Sequence, residues 1–211
     1  MRRSLILVGG GGHCKSVIEV AQSAGFDIKG ILDLPEHVGE DCLGIKVIGT
    51  DDDIQRYAED YDFVVTLGFI SNPERRVSIH KMISCSNGNL ATIIAPTAIV
   101  SKYASIGPGS VILHHVTVNA SAHVGVGCII NTSANIEHDV IIEDYCHIST
   151  GAMVNGACHI GASVFIGSGS VICNGVHIEN NTVIGAGAVV CHDINEAGTY
   201  VGVPAKKLKY E

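Results

Sequence analysis

From Ile94 to Val190, every sixth residue is Ile or Val without exception, and this array constrains the fold more than any other feature of the chain. It runs through Ile94, Val100, Ile106, Ile112, Val118, Val124 and Ile130, and closes with Ile178, Ile184 and Val190. Four places after each anchor comes a mostly small or β-branched residue, such as Ala98, Ala104, Ser110, Val116, Ala122, Cys128 or Ala134. A period of six with one large aliphatic and one small partner is the pattern of a hexapeptide parallel β-helix, in which each repeat is a short strand plus a corner. Three repeats close one coil, so residues eighteen apart stack, with successive coils about 4.8 Å apart by ordinary strand spacing. Gly or Asn often follows the anchor, as at Gly107, Gly125, Asn131, Gly161, Gly167 and Gly185. These are expected to take the corner conformations that β-branched residues resist.

The first ninety residues follow different rules. Ser4 to Val8 reads as an apolar strand, Gly9 to Gly12 as a glycine turn, and His13 to Ala24 as a helix with Val17, Ile18, Val20 and Ala21 on its apolar side. Strands at Ile28 to Leu32, Ile45 to Ile48 and Phe63 to Leu67 alternate with helices at Asp51 to Ala58 and Pro73 to Ile83. That alternation predicts a small α/β unit of Rossmann-like character. The expected division is 1–90 for this unit, 91–194 for the all-β helix and 195–211 for a C-terminal loop and tail.

Composition narrows the partners. A formal charge of -8, with Lys and Arg clustered only in the last few residues, argues against nucleic acid and against an electrostatic membrane surface. No apolar run reaches the roughly 18 residues of a membrane span. Arg2-Arg3 followed by LILVGGGG is too short and glycine-rich for a signal peptide, so a cytoplasmic location is expected. Eight cysteines without a C-x-x-C pair read as reduced, small core residues.

Two places carry candidate chemistry. Gly9 to Gly12, between strand and helix, reads either as a phosphate cradle at a helix N-terminus or as a tight turn. Asp33 lies where a dinucleotide fingerprint puts an acid on a ribose hydroxyl, but Cys14 stands in place of the third glycine, and no Walker step follows. The second place is the segment NTSANIEHDVIIEDYCHIS, Asn131 to Ser149. Stacking places Ala120 and Gly156 on either side of His138, leaving the imidazole room to meet a substrate beside a bare peptide whose N–H could face an oxyanion. An imidazole is suited to deprotonating an amine or hydroxyl as it attacks an acyl carbon. Neighbours on a flat strand point to opposite faces, so pairing of His138 with Glu137 or Asp139 requires a corner there. His123, His159 and His177 share one column and read as a surface ladder. A three-histidine zinc site would need a third ligand at position 164, which is Val164, so no metal is expected.

The VGGGGH turn, the ILD strand end, NTSANIEHD with CHIS after it, and VGVPAK near the end together resemble a known family. It is the left-handed β-helix class of bacterial sugar acyltransferases, particularly the UDP-4-amino-sugar N-acetyltransferases, with the sialic acid O-acetyltransferases close by. The resemblance implies a homotrimer with sites between neighbouring subunits, acetyl-CoA along the solenoid as cosubstrate, and a nucleotide-linked amino sugar on the N-terminal unit. It implies His138 as general base, Asp139 as the acidic neighbour that strengthens it, usually Glu in relatives, and Gly156 as oxyanion donor. Gly11, Gly12, His13, Asp33 and Gly68 match the nucleotide site, and Asn131 with His13 the sugar. His147, Ser168 and Ala186 match positions that meet acetyl-CoA. Leu34 stands where some relatives carry a second Asp, which leaves base and sugar open. Lys206, Lys207 and Lys209 read either as partners of the CoA ribose phosphate or as a solvated tail. The rival readings are a sugar O-acetyltransferase and a nucleotide-binding solenoid without catalysis.

Overall fold

A computed structural model describes residues 3–208. The N-terminal unit is built on strands β1 (Leu5–Val8), β2 (Ile28–Leu32), β3 (Asp41–Cys42), β4 (Ile45–Gly49), β5 (Asp62–Val65) and β6 (Asn89–Leu90), with helices α1 (Gly12–Ser23), α2 (Ile54–Tyr57) and α3 (Glu74–Cys85). The sheet order is β3-β4-β2-β1-β5-β6, all parallel except the β3–β4 pair. Alternation along β1 explains why both faces are covered. Leu5 and Leu7 pack with Val17, Ile18 and Ala21 of α1, while Ile6 and Val8 pack with Ile54, Ile79 and Ile83. The expected helix at Asp51 to Ala58 is a 3-10 turn at Asp51–Asp53 leading into α2, because Thr50 and Asp53 close a capping box there.

Beyond β6 the chain winds into a three-sided parallel β-helix. Its first face stacks Ile93–Ile94, Val111–Ile112, Ile129–Ile130, His147–Ile148, Phe165–Ile166 and Val183–Ile184. The second face runs from Ile99–Val100 to Val189–Val190, and the third from Ser105–Ile106 to His177–Ile178. From Ile93 to Val190 the strand pairings join residues eighteen apart, as in Thr117↔Asn135 and Ile142↔Ile160. From Ile112 onward the anchors fill the interior together with Cys128, Cys146 and Cys158, while Val100 and Ile106 are partly buried and Ile94 is exposed. Each fully buried aliphatic side chain contributes roughly 1.5–3 kcal/mol, so regular stacking stabilises the solenoid without aromatic bulk.

The corners use glycine differently from the expectation. The left-handed residue comes three places after the anchor and is Gly at 109, 127, 151, 169, 175 and 187, but also His115, Ser121, Ser133, Asp139, Tyr145, Ala157, Ser163 and Asn181, all near φ +60°. The glycines directly after anchors answer to crowding instead: a β-carbon on Gly107 would stand 2.5 Å from the Gly125 carbonyl carbon in the next coil.

The segment expected as loop and tail carries two strands. Thr199–Val201 joins the first face parallel to Val183–Ile184, and Lys206–Lys207 turns back against it. Lys209 and Arg2 lie outside the described residues. Five cysteines are buried, but Cys85 and Cys191 are exposed and Cys173 is half-buried, so the core reading holds for part of the set. No helix among the described residues is long and apolar enough to cross a membrane.

The two units share a core. Ile93, Ala95, Val111 and Leu113 of the first face join the cluster formed by α1 and the sheet. This docking carries the β5–α3 loop onto the coils at Gly127 and His147.

Candidate active site

The corner after Asn135–Ile136 bends the chain at Asp139, whose φ of +60° is the left-handed corner conformation. That bend brings two adjacent side chains to one side. Asp139 Oδ2 lies 2.8 Å from His138 Nδ1, and both residues are 60% exposed. A carboxylate only accepts, so Nδ1 carries the proton and Nε2 presents its lone pair to solvent. Glu137 is engaged elsewhere, accepting from Asn119 Nδ2 at 2.9 Å and Asn135 Nδ2 at 2.8 Å.

Gly156 lies one coil from His138, whose carbonyl accepts the Ala157 N–H at 3.0 Å. The imidazole stands over the bare peptide: a β-carbon on Gly156 would be 2.7 Å from both Cε1 and Nε2. The Gly156 N–H donates to no acceptor among the described residues. An exposed imidazole, a carboxylate hydrogen-bonded to its Nδ1 and an unengaged N–H therefore share one corner.

A second cluster forms where the N-terminal unit meets the first face. His147 is buried, and its Nδ1 donates to the Phe69 carbonyl at 2.9 Å, so Nε2 accepts from Asn131 Nδ2 at 3.3 Å. Asn131 Oδ1 in turn accepts the Thr132 N–H at 2.8 Å. Phe165 meets the His147 ring edge-on at 5.1 Å, and His13 lies 6.3 Å from it. Burial pushes His147 down to about 4 and His13 down to about 3, the Arg76 guanidinium adding to both, so both rings are neutral near pH 7. His13 Nε2 is buried without a partner. The β5–α3 loop lies against His13 at Gly68, where an added β-carbon would stand 3.7 Å from His13 Cβ, an ordinary contact.

The glycine turn leads to a third region. Asp33 Oδ2 accepts the Gly10 N–H at 3.0 Å, and α1 starts at Gly12 with no side chain capping it. Uncapped N–H groups at a helix start suit an anion. Gly10, Gly11 and Asp33 line a cavity of about 200 Å³ with His37, Glu40 and Asp41.

Ser168 and Ala186 stack in one column on the corner between first and second faces, where Gly187 N–H donates to the Ser168 carbonyl. Asn131 begins the same corner two coils earlier, whereas His138 and Gly156 occupy the next corner round. The structure thus unites His138, Asp139 and Gly156, and separately His13, Gly68, Asn131 and His147. It does not bring the two groups together within one chain.

In the histidine column His177 meets His159 edge-on at 4.9 Å, His159 also pairs with Glu143 at 2.9 Å, and His123 bonds Ser105 at 2.7 Å. Among the described residues no three His, Cys, Asp or Glu side chains converge as a metal cluster would.

Reading the sequence alone passes over Phe69, Arg76 and His80. Arg76 is fully buried, donating to the Val65 and Leu67 carbonyls through Nη1 and to the Gly127 carbonyl through Nε and Nη2. It ties the β5–α3 loop to the coil. The available signal was the buried stripe Arg76, Ile79, His80 and Ile83 at helical spacing, on which a cation is out of place.

Residues 4–83 match the PglD N-terminal domain, and 157–192 the bacterial transferase hexapeptide with six repeats. The acetyltransferase domain of PglB from Neisseria gonorrhoeae is 33% identical, with 98% of this chain and 100% of that chain covered and a TM-score of 0.90. The chain belongs to the left-handed β-helix sugar acyltransferases. This acyltransferase is also similar to a point mutant of perosamine N-acetyltransferase from Caulobacter crescentus, solved in complex with CoA and GDP-perosamine. The two are 29% identical, with 98% and 97% of the chains covered and a TM-score of 0.92. The same PglB domain solved with acetyl coenzyme A aligns with a TM-score of 0.91, covering 99% of this acyltransferase and 100% of that chain at 33% identity. A curated relative, an uncharacterized protein of Acanthamoeba polyphaga mimivirus, is 34% identical over 121 residues. That match takes in 56% of the acyltransferase and 23% of the relative, so the chain spans about a quarter of that protein's length.

Proposed function

We propose that this acyltransferase moves the acetyl group of acetyl-CoA to the amine of a nucleotide-linked amino sugar, with both substrates bound together and no covalent enzyme intermediate. The observation that carries the reading is the open Nε2 of His138, oriented by Asp139 and standing beside Gly156, whose N–H has no acceptor among the described residues. His138 Nε2 takes the amine proton as nitrogen bonds to the thioester carbonyl carbon. The Gly156 N–H steadies the oxyanion, and the C–S bond breaks as the carbonyl reforms. The departing thiolate then takes a proton, and the base is restored.

Acceptor and donor have separate surfaces. Neutral His13 and His147, fixed Asn131 and the Asp33 turn supply hydrogen-bonding groups for a sugar and its nucleotide. The small side chains of Ser168 and Ala186 would let a pantetheine arm approach the backbone of that corner. Supporting this donor and acceptor are the relatives solved with acetyl-CoA and with CoA and GDP-perosamine. The base of one chain sits on a different corner from its own His13–Asn131–His147 cluster. That separation supports a homotrimer in which the His138 corner of one copy faces the Ser168 corner of the next. A cytoplasmic location fits both substrates.

The test is a panel of nucleotide amino sugars, with free sialic acid as the O-linked alternative, incubated with acetyl-CoA and read by thiol release. The expected result is release with a nucleotide amino sugar and a drop of about a hundred- to ten-thousand-fold in turnover for His138→Ala. Release with sialic acid alone, or near-normal turnover of folded His138→Ala protein, overturns the reading.

A further inference from the structure

The β-helix holds two pairs of cysteines stacked eighteen residues apart, and they differ in one respect. Cys128 and Cys146 point inward, each thiol donating to a carbonyl, Glu143 at 3.2 Å and Gly161 at 3.0 Å, and both are buried. Cys173 and Cys191 instead follow the paired strands Val171–Ile172 and Val189–Val190 onto a corner, where Cys191 is exposed and Cys173 half-buried. Their sulfurs lie 3.9 Å apart. The Cys173 N–H donates to the Val190 carbonyl at 2.9 Å, which keeps the two residues in register. Adjacent in-register strands hold their backbones about 4.8 Å apart, inside the roughly 4.4–6.8 Å that a disulfide bridges. Rotation of the two side chains is the movement that would bring the sulfurs from 3.9 Å to bonding distance.

We propose that Cys173 and Cys191 are a thiol–disulfide redox site that takes a small-molecule disulfide as oxidant and, once closed, clamps the last strand of the second face to the one beneath it. Cys191, the exposed member, enters first. Its thiolate attacks one sulfur of the small disulfide, forming a mixed disulfide and releasing one small thiol. The Cys173 thiolate then attacks the Cys191 sulfur, closing the protein disulfide and releasing the second small thiol. The two cysteine protons pass to the two departing thiolates. Burial and the neighbouring thiol raise Cys173 above the ordinary thiol range, in keeping with a resolving rather than an entering role. Val189–Val190 is the last strand of the second face, its far edge held by the Gly202–Ala205 turn through Val189 N–H to the Gly202 carbonyl and Ala205 N–H to the Val189 carbonyl, and a clamp here joins that strand to the one beneath it. The proposal does not draw on the acetyl-transfer chemistry, although the pair shares the corner of His138 and Gly156, where the Gly175 N–H donates to the Gly156 carbonyl at 2.9 Å.

The test treats the native full-length protein with glutathione disulfide, then alkylates, digests and maps the cysteines by mass. The expected result is the loss of two alkylatable thiols per chain, a peptide joining Cys173 to Cys191, and reversal by dithiothreitol. In Cys173→Ser the glutathione should remain on Cys191 as a stable mixed disulfide, which distinguishes the resolving step from simple exposure. Three results overturn the proposal. They are full alkylation of both cysteines after treatment, glutathione retained on Cys191 of the native chain beside a free Cys173, and a link from either residue to another cysteine or another chain.

Discussion

The imidazole of His138 occupies the space that a side chain on Gly156 would need, the nearest ring atoms lying 2.7 Å from a β-carbon built there. Ring and bare peptide are matched across one coil step, so a side chain at 156 displaces the imidazole from this position. Gly156 is not among the positive-φ residues, so its backbone accepts alanine. Gly156→Ala should therefore fold, with the exposed imidazole swinging aside at a stability cost within about 1 kcal/mol. Turnover should fall by roughly a hundredfold or more as the base leaves its station. Steady-state kinetics beside a thermal melt checks both halves.

Asp139 combines a left-handed backbone with the hydrogen bond to His138 Nδ1. Asn tolerates that backbone, so Asp139→Asn should keep the fold while losing the charged acceptor. It should also allow the amide to donate to the ring and reverse its tautomer. The expected loss in turnover is at least about tenfold, with Asp139→Glu retaining more activity than Asp139→Asn. Equal activity in the two variants would show that the carboxylate does not orient the base.

Arg76 is a buried cation satisfied by the Val65, Leu67 and Gly127 carbonyls. Arg76→Met leaves three acceptors without their donor, each costing on the order of 1–3 kcal/mol when buried. Urea denaturation should show a loss of about 3 kcal/mol or more, with Arg76→Lys recovering part of it. Because Leu67 leads into Gly68 and Phe69, the lysine variant should also raise KM for the nucleotide sugar more than KM for acetyl-CoA.

His80 is buried against Tyr145, Gly109 and Gly127, with both ring nitrogens unpartnered. Burial, with the Arg76 guanidinium beside it, pushes its pKa from 6.5 down to about 3. A ring held below its ordinary value takes up a proton on unfolding. Its contribution to stability is then fully present above pH 6.5 and is lost as pH falls through the folded value. From pH 6.5 to pH 4 that loss amounts to about 3 kcal/mol. His80→Leu, close in volume, should flatten the acid side of the stability curve over that window while changing little at pH 7. Melts from pH 7 to pH 4 measure the difference in slope.

The coil, its eighteen-residue stacking and the neighbourhood of His138 and Gly156 are legible in the chain itself, because a solenoid repeats one local geometry and spacing alone sets register. The α/β alternation is legible for the same reason, in apolar periods and glycine stops. Corner chemistry is less so. Glycines after the anchors draw attention, yet the left-handed turn falls two places later and admits Asp139, Tyr145 and Ala157, because the tight corner stacked on its neighbours over-determines that backbone.

What the sequence by itself determined is therefore the periodic part: the prism, its interior, and which residue lies above which. Only the tertiary structure decided that Asp139 turns to His138, that Phe69 sets the tautomer of His147, and that Arg76 joins β5 to Gly127. The physical reason is range. Stacking partners recur at a constant separation and leave a period in the chain, whereas these contacts depend on a single sharp corner or on two units docking across dozens of residues, and neither leaves a repeat to read.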